Sequence, residues 1–167
     1  MDIRSALKSQ YHAALETLRE AIEKCPVSMW DDPADRSPAF WRVAYHTLFY
    51  AHFYLEQEQE AFAPWARHRA EANFLGGNPY DNEPRPKSCQ PFTRDDLLEY
   101  WRVCDGAIDD GVDKLDLSAP QCGFPWYAMP KLEHQLVNIR HIQHHAAVLS
   151  NRLWRSDGIL VDWVASG

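Results

Sequence analysis

The 167-residue chain has no uninterrupted apolar run of about 18 residues, the length a membrane-spanning helix needs. No membrane span is expected. Its first ten residues carry Asp2, Arg4 and Lys8 and no apolar stretch, so no secretory leader is expected there. There is no CxxC pair: Cys25, Cys89, Cys104 and Cys122 stand far apart, in a chain too large to need disulfide staples. Free thiols in a reducing, cytoplasmic setting are the expectation. Dense runs of lysine and arginine are also missing. Seventeen basic residues against 24 acidic ones leave a net charge of -7, which repels phosphate backbones and speaks against nucleic acid as a partner. Internal repeats and low-complexity tracts are absent.

What remains is the composition of a folded domain. Apolar residues make up 46% and charged residues 25%, which excludes a disordered or fibrous chain and predicts one domain spanning 1–167. A chain of this size buries roughly 70% of its unfolded surface. Aromatic residues reach 13% with seven tryptophans, and four of the eight histidines fall between 134 and 145.

Four segments read as helix, predicting an all-α fold. Ile3, Leu7, Ala14, Leu15, Leu18 and Ile22 follow helical spacing from Ile3 to about Lys24, and Cys25-Pro26 ends the run. A second helix is expected from about Ser37, a candidate N-cap followed by Pro38, to Glu60. A third begins at Thr93-Arg94-Asp95-Asp96 and reaches about Lys114, weakened by Gly106 and Gly111. The fourth starts between Trp126 and Lys131 and runs to about Arg155, with Gly158 as its stop. The apolar tail 159–164 is expected to pack back onto the helices. Between the second and third helices, about 62–92 forms a proline-rich connection whose aromatics predict a packed loop. A connection this long can cross the whole molecule and leave helices two and three parallel, as in four-helix bundles with a crossover.

A helical wheel sorts the fourth helix. With Leu132 at zero and ~100° per residue, Leu136, Ile139, Ile142, Ala146, Leu149 and Leu153 occupy an apolar arc. Glu133, Arg140, His144, Asn151 and Arg155 share the solvent arc. His134, Asn138, His141 and His145 form a third arc bordering the apolar one. His141 and His145 are thus an i, i+4 pair turned partly inward, the spacing at which two imidazoles reach one metal ion. His144 is the alternative partner of His141, but the wheel places it among charges. Without a metal, the same arc would face solvent or another subunit. His46, among Arg42, Phe49, Tyr50 and Phe53, is the best source of a third ligand, since a buried neutral histidine needs a hydrogen bond or a metal. The competing reading is a satisfied core histidine. His52 points about 120° away from His46. His12 and His68 read as surface or loop residues, and Asp31, Asp32 and Asp35 as solvated or capping.

Two segments together resemble the DinB/YfiT-like family: Ser37-Pro38-Ala39-Phe40-Trp41-Arg42-Val43-Ala44-Tyr45-His46-Thr47-Leu48, and Asn138-Ile139-Arg140-His141-Ile142-Gln143-His144-His145. The resemblance implies an up-down-down-up four-helix bundle holding a divalent metal ion on three histidines, here His46, His141 and His145. This set agrees with the wheel. Many relatives follow the last ligand with Arg-Gly-Gln, where this chain has Ala146-Ala147-Val148, so no role can be borrowed from those polar residues.

Three neutral imidazoles leave a tetrahedral ion one open position, the arrangement of a catalytic site rather than a closed structural one. Such an ion can lower the pKa of bound water or ionise a thiol. The resemblance therefore implies a metal-dependent enzyme, a thiol-dependent S-transferase or a hydrolase, acting on a small molecule that includes low-molecular-weight thiols. The alternatives are a non-catalytic binding module for a small stress metabolite and a plain interaction protein. Three-imidazole sites accept zinc, nickel, copper or iron; zinc or nickel is the expectation. His134 is the candidate catalytic base, and Trp65, Tyr80 and Trp126 are candidate pocket walls, each also readable as core packing. The aromatic excess predicts a homodimer.

Overall fold

The computed structural model describes residues 2–33, 38–76 and 89–167. All regular structure among them is helical: α1 (Ile3–Lys24), α2 (Val27–Trp30), α3 (Phe40–Phe53), α4 (Arg94–Gly106), α5 (Ile108–Lys114) and α6 (Lys131–Asp157), with one 3-10 turn at Gln59–Ala61. None of these helices is long and apolar enough to cross a membrane.

The helix ends follow local chemistry. Asp2 caps α1 by accepting from the backbone N–H of Arg4 and Ser5. Thr93 and Asp96 form a reciprocal capping box at the start of α4. Gly158 adopts a left-handed φ of 67° and closes α6, with its N–H on the Trp154 carbonyl and that of Ile159 on Leu153. The expected third helix is divided at Ala107 into α4 and α5, next to Gly106.

The expected second helix is corrected at its C-terminal end. It stops at Phe53 rather than Glu60, because the carbonyls it would leave unpaired are taken by side chains of α6. Asn138 donates to Ala51 O at 3.1 Å, Gln135 to Tyr54 O at 2.9 Å, and Lys131 to Glu56 O at 2.9 Å. The chain then turns against the segment before α6, with Gln59 N–H on the Gly123 carbonyl. Ser37 lies outside the described residues, and Ala39 occupies the N-cap position without a side-chain bond.

Cross-helix bonds give the directions. Arg152 reaches Pro38 O while Lys131 reaches Glu56 O, so α3 and α6 run antiparallel. Arg94 binds Cys25 O, Trp101 binds Leu15 O and Lys8 pairs with Asp113, so α1 runs opposite to α4 and α5. Tyr45 packs on Tyr100 and the Cys104 thiol donates to Leu48 O, so α3 and α4 run parallel. Between these faces Tyr11, Leu15, Leu18, Ile22, Phe40, Tyr45, Leu48, Leu97, Tyr100, Ile142 and Leu149 are fully buried. Burying each large apolar side chain is worth about 1.5–3 kcal/mol. The tail follows expectation only in part: Ile159 and Val161 pack on the core, whereas Leu160 and Trp163 are exposed.

Candidate metal centre

His46 stands in the middle of α3, and His141 and His145 on successive turns of α6. Because the two helices run antiparallel, the three imidazoles meet between them. One nitrogen from each lies within 4.8 Å of the others, and all three residues are half-buried. The ring centroids are 4.6–5.0 Å apart.

The tautomer of His46 is set by its surroundings. Its Nδ1 lies 2.7 Å from the Asn73 carbonyl, which only accepts, so Nδ1 carries the proton and Nε2 presents a lone pair. That Nε2 faces Nε2 of His141 at 3.0 Å, so a proton or a cation must lie between them. Two nitrogens on one tetrahedral zinc at ~2.0–2.1 Å stand ~3.3 Å apart, so the observed spacing is close to that of a shared ion. Nδ1 of His141 is buried with no partner.

Electrostatics keeps all three rings neutral. Burial pushes His46 down to about 4, with the Asn73 carbonyl acting weakly the other way. Burial, and then the neighbouring histidines, push His141 and His145 down to about 3. Neutral imidazoles with buried lone pairs are the donor set that borderline divalent ions prefer. A metal ion fits these residues.

Two further residues frame the cluster: Tyr50, read from the sequence only as a neighbour of His46, and Asn73, which sequence reasoning missed. Tyr50, one turn beyond His46, places its ring 4.8 Å from His46 and 5.8 Å from His141. Its i, i+4 spacing from His46 was a signal for it. Asn73 comes from the connection after α3, and its backbone carbonyl leaves no mark in the sequence.

The other candidates fall elsewhere. His144 is exposed and only borders His145, at 5.0 Å between rings. His134 is fully buried inside a cage of Tyr54, Phe124 and Tyr127, with both ring nitrogens unpartnered. It stands seven residues before His141, about 10 Å along the helix. Its ring contacts are with Tyr54, Phe124 and Tyr127 rather than with the three histidines. Trp65 is a core residue, stacked on Tyr100 at 4.6 Å and tilted against Phe92 at 5.7 Å, facing α4 rather than the histidines. Trp126 is 52% exposed and packs on Phe53 and Phe124. Tyr80 and Asp35 lie outside the described residues.

The remaining histidines are bound in other ways. His12 pairs with Asp105 at 2.6 Å, His68 bonds the Tyr45 hydroxyl at 2.6 Å, and His52 meets the Tyr100 hydroxyl at 3.3 Å. His52 also lines a groove of about 330 Å³ with Glu56, Asp110 and Lys114, on the α4–α5 side of α3 and away from the three-histidine cluster. Asp31 accepts the indole N–H of Trp41 at 2.8 Å, a structural role.

Compared with protein-family models, with curated proteins and with solved structures, the chain finds no match.

Proposed function

We propose that the protein is a metal-dependent enzyme of the DinB/YfiT-like kind: an up-down-down-up four-helix bundle formed by α1, α3, α4–α5 and α6. In this reading His46, His141 and His145 hold one divalent ion, zinc or nickel. The observation that carries it is the convergence of three neutral imidazoles from two antiparallel helices, with two Nε2 atoms 3.0 Å apart. The helix directions and the long connection between α3 and α4 support the bundle topology.

When bound, the ion supplies a Lewis acid able to activate water or a thiol at neutral pH. The protein's own groups do the rest. The Asn73 carbonyl holds His46 in the tautomer that ligates through Nε2. Tyr50 covers one flank and limits water there. The exposed His144 beside His145 marks the side open to solvent. Three protein ligands leave a position for a small substrate, and a low-molecular-weight thiol in an S-transfer or a hydrolysable small molecule suits it.

One observation favours a second reading. The one candidate base, His134, is caged two turns away from the cluster. A module that binds a small ligand through the ion, without turnover, needs no such base.

The test is metal content per chain after purification without a nickel column. Wild type and His144→Ala carry close to one ion, whereas His46→Ala, His141→Ala and His145→Ala carry none. A wild type that neither retains metal nor takes up added zinc or nickel overturns the reading. Metal-dependent turnover of a thiol conjugate then separates the enzyme from the binding module.

A further inference from the structure

Arg42 lies one turn before His46 on the same face of α3 and is only 9% exposed. Its guanidinium does not reach the imidazoles' partners directly. Nη1 donates to the Glu71 carbonyl at 3.0 Å and to that of Phe74 at 3.5 Å, and Nη2 to the Cys89 sulfur at 3.2 Å. Glu71 and Phe74 bracket Asn73, whose carbonyl receives the His46 Nδ1 proton. Three bonds from α3 therefore grip one short turn: Arg42 holds its two ends, Glu71 and Phe74, and His46 holds Asn73 between them.

That turn needs holding. Glu71 has a φ of 69°, a left-handed conformation that residues other than glycine rarely keep unless their surroundings impose it. Within the turn only the Ala72 N–H to Arg69 O and Phe74 N–H to Glu71 O bonds close it. Ala72 and Asn73 are buried, so the Asn73 carbonyl cannot turn to water without moving the segment. A second arginine anchors the near end: Arg69 donates to Gln90 O at 2.6 Å and to Pro91 O at 3.0 Å.

We propose that Arg42 is a positioning residue for the metal centre, fixing the Glu71–Phe74 turn so that the Asn73 carbonyl holds His46 with Nε2 aimed between α3 and α6. The proposal rests on the three-histidine reading above. An outer partner of this kind fixes ring orientation and raises ligand basicity, and its loss commonly costs 10–100-fold in metal affinity. The planar guanidinium serves the turn's carbonyls through Nη1 and the Cys89 sulfur through Nη2 at once, and a lysine ammonium on a flexible stem reproduces that poorly.

Zinc affinity is measured by competition with a chromogenic chelator on wild type, Arg42→Ala, Arg42→Lys and Arg152→Ala. Arg152 also binds two backbone carbonyls, those of Pro38 and Asp32, neither of them in the turn, and so controls for general loosening. Arg42→Ala should bind zinc about tenfold or more weakly, Arg42→Lys should fall between it and wild type, and Arg152→Ala should match wild type. A second readout needs no metal: the His46 Nδ1 proton, protected by Asn73 in the wild-type NMR spectrum, should exchange rapidly in Arg42→Ala and, if that variant does not fold, in Arg42→Lys. Wild-type zinc affinity together with a protected Nδ1 proton in the Arg42 variants overturns the positioning role alone. Equal weakening in Arg152→Ala also overturns it. A wild type that takes up no zinc overturns the three-histidine reading and this proposal with it.

Discussion

Gln135 donates its side-chain amide to the carbonyl of Tyr54 at 2.9 Å, and its amide oxygen accepts the hydroxyl of Tyr11 at 2.7 Å. One fully buried side chain on α6 thus satisfies the frayed end of α3 and the phenol of α1 together. Gln135→Leu keeps the volume, strands the Tyr54 carbonyl and leaves the Tyr11 hydroxyl only the longer contact to the backbone carbonyl of position 135, at 3.4 Å. Unsatisfied buried groups cost about 1–3 kcal/mol each, so a loss of roughly 3 kcal/mol is expected in urea unfolding. Adding Tyr11→Phe removes the weakly bonded hydroxyl and should restore part of it.

His134 should make the protein acid-sensitive. Burial, and secondarily Lys131, push its folded pKa down to about 4, against the ordinary 6.5. The unfolded chain therefore takes up the proton first. The contribution is fully present above pH ~6.5 and is lost as pH falls towards 4, reaching roughly 2 kcal/mol by pH 5. His134→Phe, placed among Tyr54, Phe124 and Tyr127, should flatten that part of the stability–pH profile. An unchanged profile would show that His134 is not protonated on unfolding in this range.

Much of this was legible beforehand, for reasons that differ by element. The limits of α1 depend on its own periodicity and on Cys25-Pro26, and they read off directly. The start of α4 depends on Thr93 and Asp96, and the stop of α6 on Gly158, so those were local too. The end of α3 was not legible, because Asn138, Gln135 and Lys131 arrive there from a distant helix. The wheel paired His141 with His145 because 3.6-residue periodicity is a property of the helix alone, whereas His46 entered separately, as a histidine on an aromatic face of another helix and through the family resemblance. The wheel misjudged Leu136, placed on the apolar arc yet 50% exposed, because the arc's width depends on which neighbours pack there. Asn73 acts through its backbone, which no residue type announces.

Zinc should stabilise the protein by mass action. At a free concentration a hundredfold above Kd, about 2.7 kcal/mol of added stability is expected. Thermal unfolding of wild type and His144→Ala should move up with added zinc, whereas His141→Ala should not move. The zinc effect should also shrink in acid, since the ligands must give up their protons to bind.

Two glycines should respond in opposite ways to alanine. Gly123 has a φ of 82°, and a Cβ there would stand 2.2 Å from the Gln57 carbonyl oxygen. Gly123→Ala should cost at least about 2 kcal/mol, through strain and overpacking. Gly106, within α4, has open space around a Cβ, and Gly106→Ala should add about 0.5–1 kcal/mol. Thermal melts of the two variants give the comparison.

The most extensive packing face of α1 is against α6, and the segment after α6 returns to it as well, with Gly167 N–H on Ser9 O and Gln10 on Ala165 O. During synthesis α1 must therefore wait for α6 before its apolar side is covered. Until then Tyr11, Leu15, Leu18 and Ile22 have only α3, α4 and α5 to lean on. Contacts that close across so much intervening chain slow folding and lengthen the exposure of sticky surface. The emergence of α6, rather than of any earlier helix, should then be the moment at which this domain commits to its native state.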